Sequence, residues 1–126
     1  MAKIFLFEKE KLHGLLILKL LHDLGHEVVW VKDKEEAETV LKDNFDIFIL
    51  NIARRYLDRI DYRSEITKII GNHFKDTPVI FITGIDNRKV KELVEKFGAV
   101  SYLVKPIMPS GFKNEIQKIV KRKVVD

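Results

Sequence analysis

Asp46-Ile47-Phe48-Ile49-Leu50-Asn51 is a run of four large apolar residues with a polar residue at each end. It shows neither a helical period nor a polar–apolar alternation. Such a segment reads as a strand buried on both faces, and strands of that kind belong to parallel sheets covered by helices. Ile4 to Phe7 and Pro78 to Thr83 have the same character.

Helical patterns fill the spaces between these strands. Leu12, Leu16, Leu20 and Leu24 fall on one helical stripe, with Ile17 and Leu21 beside it, and Gly25 is expected to stop that helix. His26 to Val31 reads as a second strand. Asp33 and Glu36 form an Asp-x-x-Glu capping box ahead of an apolar face of Ala37, Val40 and Leu41. Ile66, Ile69, Ile70 and Phe74 mark a third helix. Val90, Leu93, Val94 and Phe97 stand at i, i+3, i+4 and i+7, which predicts an amphipathic helix closed by Gly98. Ser101 to Val104 is a fifth strand, and Ser110 is expected to cap a last helix with Phe112, Ile116, Ile119 and Val120 inward. Five strands alternating with five helices predict a doubly wound α/β domain spanning residues 1–126.

Composition narrows the function classes. The chain has 126 residues, room for one domain, with 46% hydrophobic and 33% charged residues, the balance of a globular protein. It has no cysteine, which excludes disulfides and thiolate metal sites. The longest apolar stretch, Leu15 to Leu21, is interrupted by Lys19 and too short to span a membrane. Met1-Ala2-Lys3 opens no signal-peptide pattern, so a cytoplasmic protein is expected. The net charge of +4 suits either an acidic partner or a plain lysine-rich surface. Nothing resembles a helix-turn-helix, a stacking platform or a zinc site, so nucleic acid is not an expected partner. His13, His22, His26 and His73 share no metal-ligand spacing and are expected to be surface or half-buried residues. There is no Gly-rich phosphate loop and no Ser-His-Asp set, and only Glu8 and Glu10 offer carboxylates near the strand ends. The expectation is a protein that is not an enzyme.

In an open parallel sheet, ligands and chemistry sit at the carboxyl ends of the strands. The residues there are Glu8 and Lys9, Asn51, Thr83 with Gly84, and Lys105 with Pro106. In order and spacing they resemble the receiver domain of two-component response regulators. Lys3 to Glu10 is similar to that family's first strand and acidic pair, Asp46 to Ile52 to its third strand, and Pro78 to Gly84 to its fourth. Gly98-Ala99-Val100-Ser101-Tyr102-Leu103-Val104-Lys105-Pro106 is the closest match. The resemblance covers essentially the whole chain and implies a flavodoxin-like sheet of order 2-1-3-4-5.

The family's chemistry, as the resemblance implies it, uses two acids to hold Mg²⁺, an aspartate nucleophile, a hydroxyl and a lysine. Glu8 can match the first acid, but Lys9 stands at the second and Asn51 at the nucleophile. Thr83 and Lys105 match the hydroxyl and lysine, and Tyr102 and Pro106 match the switch aromatic and its following proline. The loop Ile52-Ala53-Arg54-Arg55 lacks the usual proline. Two carboxylates are replaced and an ammonium is added, so Mg²⁺ binding is expected to be weak or lost, with Glu8 the one retained ligand candidate. Lys9 is expected to stand in for the metal, bridging Glu8 and the Asn51 oxygen; the other readings are an anion site with Lys105, Thr83, Arg54 or Arg55, or a lysine in solvent. No cofactor is expected.

The leading expectation is an atypical, phosphorylation-independent receiver that acts by protein contact. Its partner face, by the resemblance, is the fourth helix, fifth strand and fifth helix around Tyr102, where a homodimer could also form. Lys89, Lys91, Lys96, Lys113, Lys118, Lys121, Arg122 and Lys123 are on or just after those helices. The alternatives are an anion- or nucleotide-sensing pocket, and an engineered Asp-to-Asn change at position 51 of a phosphorylatable protein. Fold stability is expected to be independent of the site, with Asn51→Ala costing little.

Overall fold

Each apolar run forms a strand, and the strands all point one way. A computed structural model of the chain describes residues 1–52, 77–84, 88–99 and 101–125. Strands β1 (Lys3–Phe7), β2 (Glu27–Val31), β3 (Ile47–Ile52), β4 (Val79–Thr83) and β5 (Ser101–Val104) pair in parallel in the order β2-β1-β3-β4-β5. The described helices are α1 (Lys11–Asp23), α2 (Lys34–Val40), α3 (Arg88–Phe97) and α4 (Pro109–Val125). This is the doubly wound architecture that the strand pattern predicts, with the flavodoxin-like strand order that the resemblance implies. The helix expected around Ile66, Ile69, Ile70 and Phe74 lies outside the described residues, as do Arg54, Arg55 and His73.

The sheet separates two cores, because side chains along a strand alternate faces. On one face Phe5, Phe7, Phe48, Leu50 and Phe81 pack with Ala37 of α2 and Val90 of α3. Phe5 meets Phe45 and Phe48 edge to face, with ring centroids 5.4 and 5.3 Å apart. On the other face Ile4, Leu6, Ile47, Ile49, Ile80 and Ile82 pack against Ile17, Leu20 and Leu21 of α1 and Phe112, Ile116 and Ile119 of α4. Tyr102 packs against the aromatic core, whereas its neighbour Leu103 packs against the aliphatic one.

Several local expectations hold in detail. Asp33 accepts the Glu36 N–H at 2.8 Å, and the Glu36 carboxylate accepts the Lys32 N–H at 3.0 Å, capping α2. Gly25 and Gly98 take φ of +84° and +63° just beyond α1 and α3, which only glycine does without steric cost. Other expectations are corrected. Ser110 does not cap α4; the helix begins at Pro109, whose missing N–H suits a first turn. Asn51 lies inside β3 and not after it.

The largest correction concerns α1. Leu12 and Leu16 do not face the core: they are 76% and 37% exposed, and Leu15 is 44% exposed. The buried face runs through Gly14, Ile17, Leu20 and Leu21. Leucines surround this helix, so period alone could not choose its inner face. Gly14 makes the choice, because the Trp30 indole lies where a Cβ would stand, its Cζ2 only 2.1 Å from that position. Gly14→Ala should therefore lower stability by about 1–3 kcal/mol through overpacking, despite alanine's better helix propensity. Ile49→Ala, at a fully buried strand position, should cost about 2–5 kcal/mol. Urea unfolding checks both, and a Gly14→Ala protein as stable as the parent would show that the indole can move aside.

Candidate functional site

Parallel register brings the strand ends together. Phe7 pairs with Leu50, so Glu8 and Asn51 each stand one residue beyond that pair. Ile52 pairs with Thr83, and Thr83 pairs with Val104, one residue before Lys105. The Lys105 N–H then donates to the Thr83 carbonyl at 2.8 Å, and the Lys105–Pro106 peptide is cis. Glu8, Asn51, Thr83 and Lys105 thus form one edge-on row along the top of the sheet.

Glu8 is the centre of the row and has no exposed surface. Its Oε2 accepts the Asn51 side-chain amide at 2.5 Å and the Glu10 backbone N–H at 3.1 Å. Its Oε1 is in hydrogen-bond contact with Nδ1 of His13 and lies 3.6 Å from the Lys105 ammonium. That ammonium also lies 3.7 Å from Glu10. Glu10 is the residue before α1, so the carboxylate faces the start of a helix, where the backbone dipole favours negative charge. A carboxylate accepts about four hydrogen bonds; here three donors bond it and the Lys105 ammonium adds a longer ion pair. Burial alone would push the Glu8 carboxyl up. The Glu10 N–H, His13, Asn51 and Lys105 more than offset that, and hold it below the ordinary glutamate value of 4.5.

Glu8 and Asn51 are in direct contact, and Lys105 joins them. Thr83 is buried at the end of β4. Tyr102 is half-buried and Pro106 exposed, both on the β5 side. Lys9 is exposed; Asn51 donates to Glu8 itself, and the Lys105 ammonium lies beside Glu8. Sequence reasoning missed His13, which a lone histidine without a spacing partner could not announce. The available signal was its place in the first turn of the helix that leaves β1 directly after Glu8. Trp30, the single tryptophan, was missed too; its Nε1 donates to the Glu8 carbonyl at 2.9 Å.

Comparison with known proteins bears on this row of strand-end residues. The response regulator receiver domain family matches residues 4–117. The chain belongs to that family. The transcriptional regulatory protein CrdR of Helicobacter pylori is 32% identical over 106 residues, covering 82% of this chain and 48% of that protein. CpxR of Klebsiella pneumoniae is 28% identical over 122 residues, 97% of this chain and 50% of that protein. The chain therefore spans about half the length of these curated relatives. A response regulator from Thermotoga maritima superposes with a TM-score of 0.78 at 20% identity, covering 96% of this chain and 98% of that one. The non-phosphorylated HemR receiver domain of Leptospira biflexa gives 0.73 at 23%, covering 95% and 94%. At those identities the structural likeness speaks for the fold.

This receiver thus has its place in two-component signalling, where such domains normally bind Mg²⁺ at an acidic site and work through kinases and effectors. Among the described residues, no group of three or more His, Cys, Asp or Glu is placed to hold a metal ion. No described helix is long and apolar enough to cross a membrane.

The geometry revises the expectation for Asn51. Its amide satisfies a fully buried carboxylate, so Asn51→Ala should cost about 1–3 kcal/mol in a denaturant titration, not little. Glu8 also sets an acid limit. Its folded pKa lies below its unfolded one, so its contribution is present above about 4.5 and is lost as the pH falls through the lower folded value. Buried His26, which accepts the Ala2 N–H at 3.1 Å, is held below 6.5 by burial first and the positive amino terminus second. Its folded pKa lies below its unfolded one, so its contribution also fades as the pH falls below 6.5. Thermal melts against pH should show both declines, and Glu8→Gln should flatten the lower one alone.

Proposed function

We propose that this receiver works without phosphorylation, through protein–protein contact, with a conformation set by its own side chains or by a partner. The observation that carries the reading is the Asn51 amide, which stands at the nucleophile position and donates to Glu8 at 2.5 Å. An amide cannot form the acyl phosphate that an aspartate can. The donor set does not fit Mg²⁺ either. That hard cation wants several free oxygen ligands in octahedral array, and the one matching carboxylate here is already surrounded by donors. On this reading the protein is not an enzyme, and the residues from Glu8 to Lys105 form a held pocket in place of a reacting one. The anion-sensing alternative is weakened because Lys105 lies between Glu8 and Glu10.

The partner surface we favour is built from α3, β5 and α4 around Tyr102. Val104 and Met108 are 37% and 66% exposed there, and Lys91, Lys118 and Lys121 lie open on the two helices. An acidic protein, or a second copy of the chain, suits that mixture of apolar and basic residues. The test is mass spectrometry after treatment with a small phosphodonor and Mg²⁺. The wild type should gain no phosphoryl mass, and Asn51→Asp alone should gain little, because Lys9 still opposes the metal. A stoichiometric adduct on the wild type would overturn the reading.

A further inference from the structure

We propose that His13 is the residue that closes Glu8 to a divalent cation, a determinant separate from Lys9 and Asn51. The inference rests on the phosphorylation-independent reading and extends it to a residue outside the family's acid, hydroxyl and lysine set. Replacing two acids explains lost ligands. It does not explain why the remaining acid should be unavailable, since Asn51 and the Glu10 N–H engage only Oε2. Oε1 would be left to Lys105 at 3.6 Å, an ammonium on a flexible stem. The His13 imidazole removes that opening by placing Nδ1 directly on Oε1.

The ring is held there firmly. Its side chain is 12% exposed and its partner is fully buried. An ionised carboxylate only accepts, so Nδ1 carries the proton. The other ring nitrogen, Nε2, is buried with no hydrogen-bond partner among the described residues. An orphaned buried nitrogen costs stability, and an apolar residue of similar size would fill the space without that cost. The Glu8 contact is the compensating interaction at this position. A cation bound at Oε1 would have to displace the imidazole and break that contact.

The experiment compares Lys9→Asp/Asn51→Asp, which restores both missing acids, with the same protein carrying His13→Ala. Mg²⁺ is titrated and followed by the emission of Trp30, the single tryptophan, whose indole touches the Glu8 carbonyl. His13→Ala should tighten Mg²⁺ binding by about tenfold or more, on the scale of other changes next to a metal ligand. His13→Met, which keeps bulk but has no N–H, should tighten it similarly and guards against a folding defect in the alanine protein. Equal affinity with and without His13 would overturn the role given to it and leave the functional reading intact. Tight Mg²⁺ binding by the unmodified protein would overturn both.

Discussion

A carboxylate buried out of reach of water must be either neutral or surrounded by donors. Glu8 meets that constraint with three hydrogen-bond donors and the Lys105 ammonium, drawn from β3, α1, the backbone at the start of α1, and the loop after β5. Three stretches of chain, residues 10–13, Asn51 and Lys105, thereby converge on one group. Here the balancing charge and hydrogen bonds are part of the chain, so the pocket is bound up with the stability of the fold.

The sheet makes this convergence possible. Parallel pairing puts every strand's carboxyl end on the same edge, and the register aligns Glu8 with Asn51 and Thr83 with Val104 to within one residue. The two cores fix that register, because a slip of one residue would exchange the phenylalanine face for the isoleucine face. The Gly14–Trp30 contact then sets how α1 lies on the sheet, and so where His13 meets Glu8.

Most of the fold was legible because parallel strands write themselves as continuous apolar runs, and because capping and C-terminal glycines are local. Asp33 with Glu36, Gly25 and Gly98 act as short-range chemistry says they should. The orientation of α1 was not legible, since leucines occupy most of its circumference and the deciding contact involves Trp30 on another strand. The candidate site was half legible. Strand-end logic found Glu8, Asn51, Thr83 and Lys105 as neighbours. The contact between His13 and Glu8 depends on how a helix leaves its strand, which no spacing rule encodes.

The pocket depends on Glu8 being engaged by the protein's own donors. Long-range proton–nitrogen NMR of the His13 imidazole tests this directly, in the wild type with and without Mg²⁺. The expected result is a protonated, hydrogen-bonded Nδ1 whose resonance does not move when the cation is added. A deprotonated Nδ1, or a resonance that shifts in step with Mg²⁺, would mean that Glu8 is open and that the pocket retains its metal site.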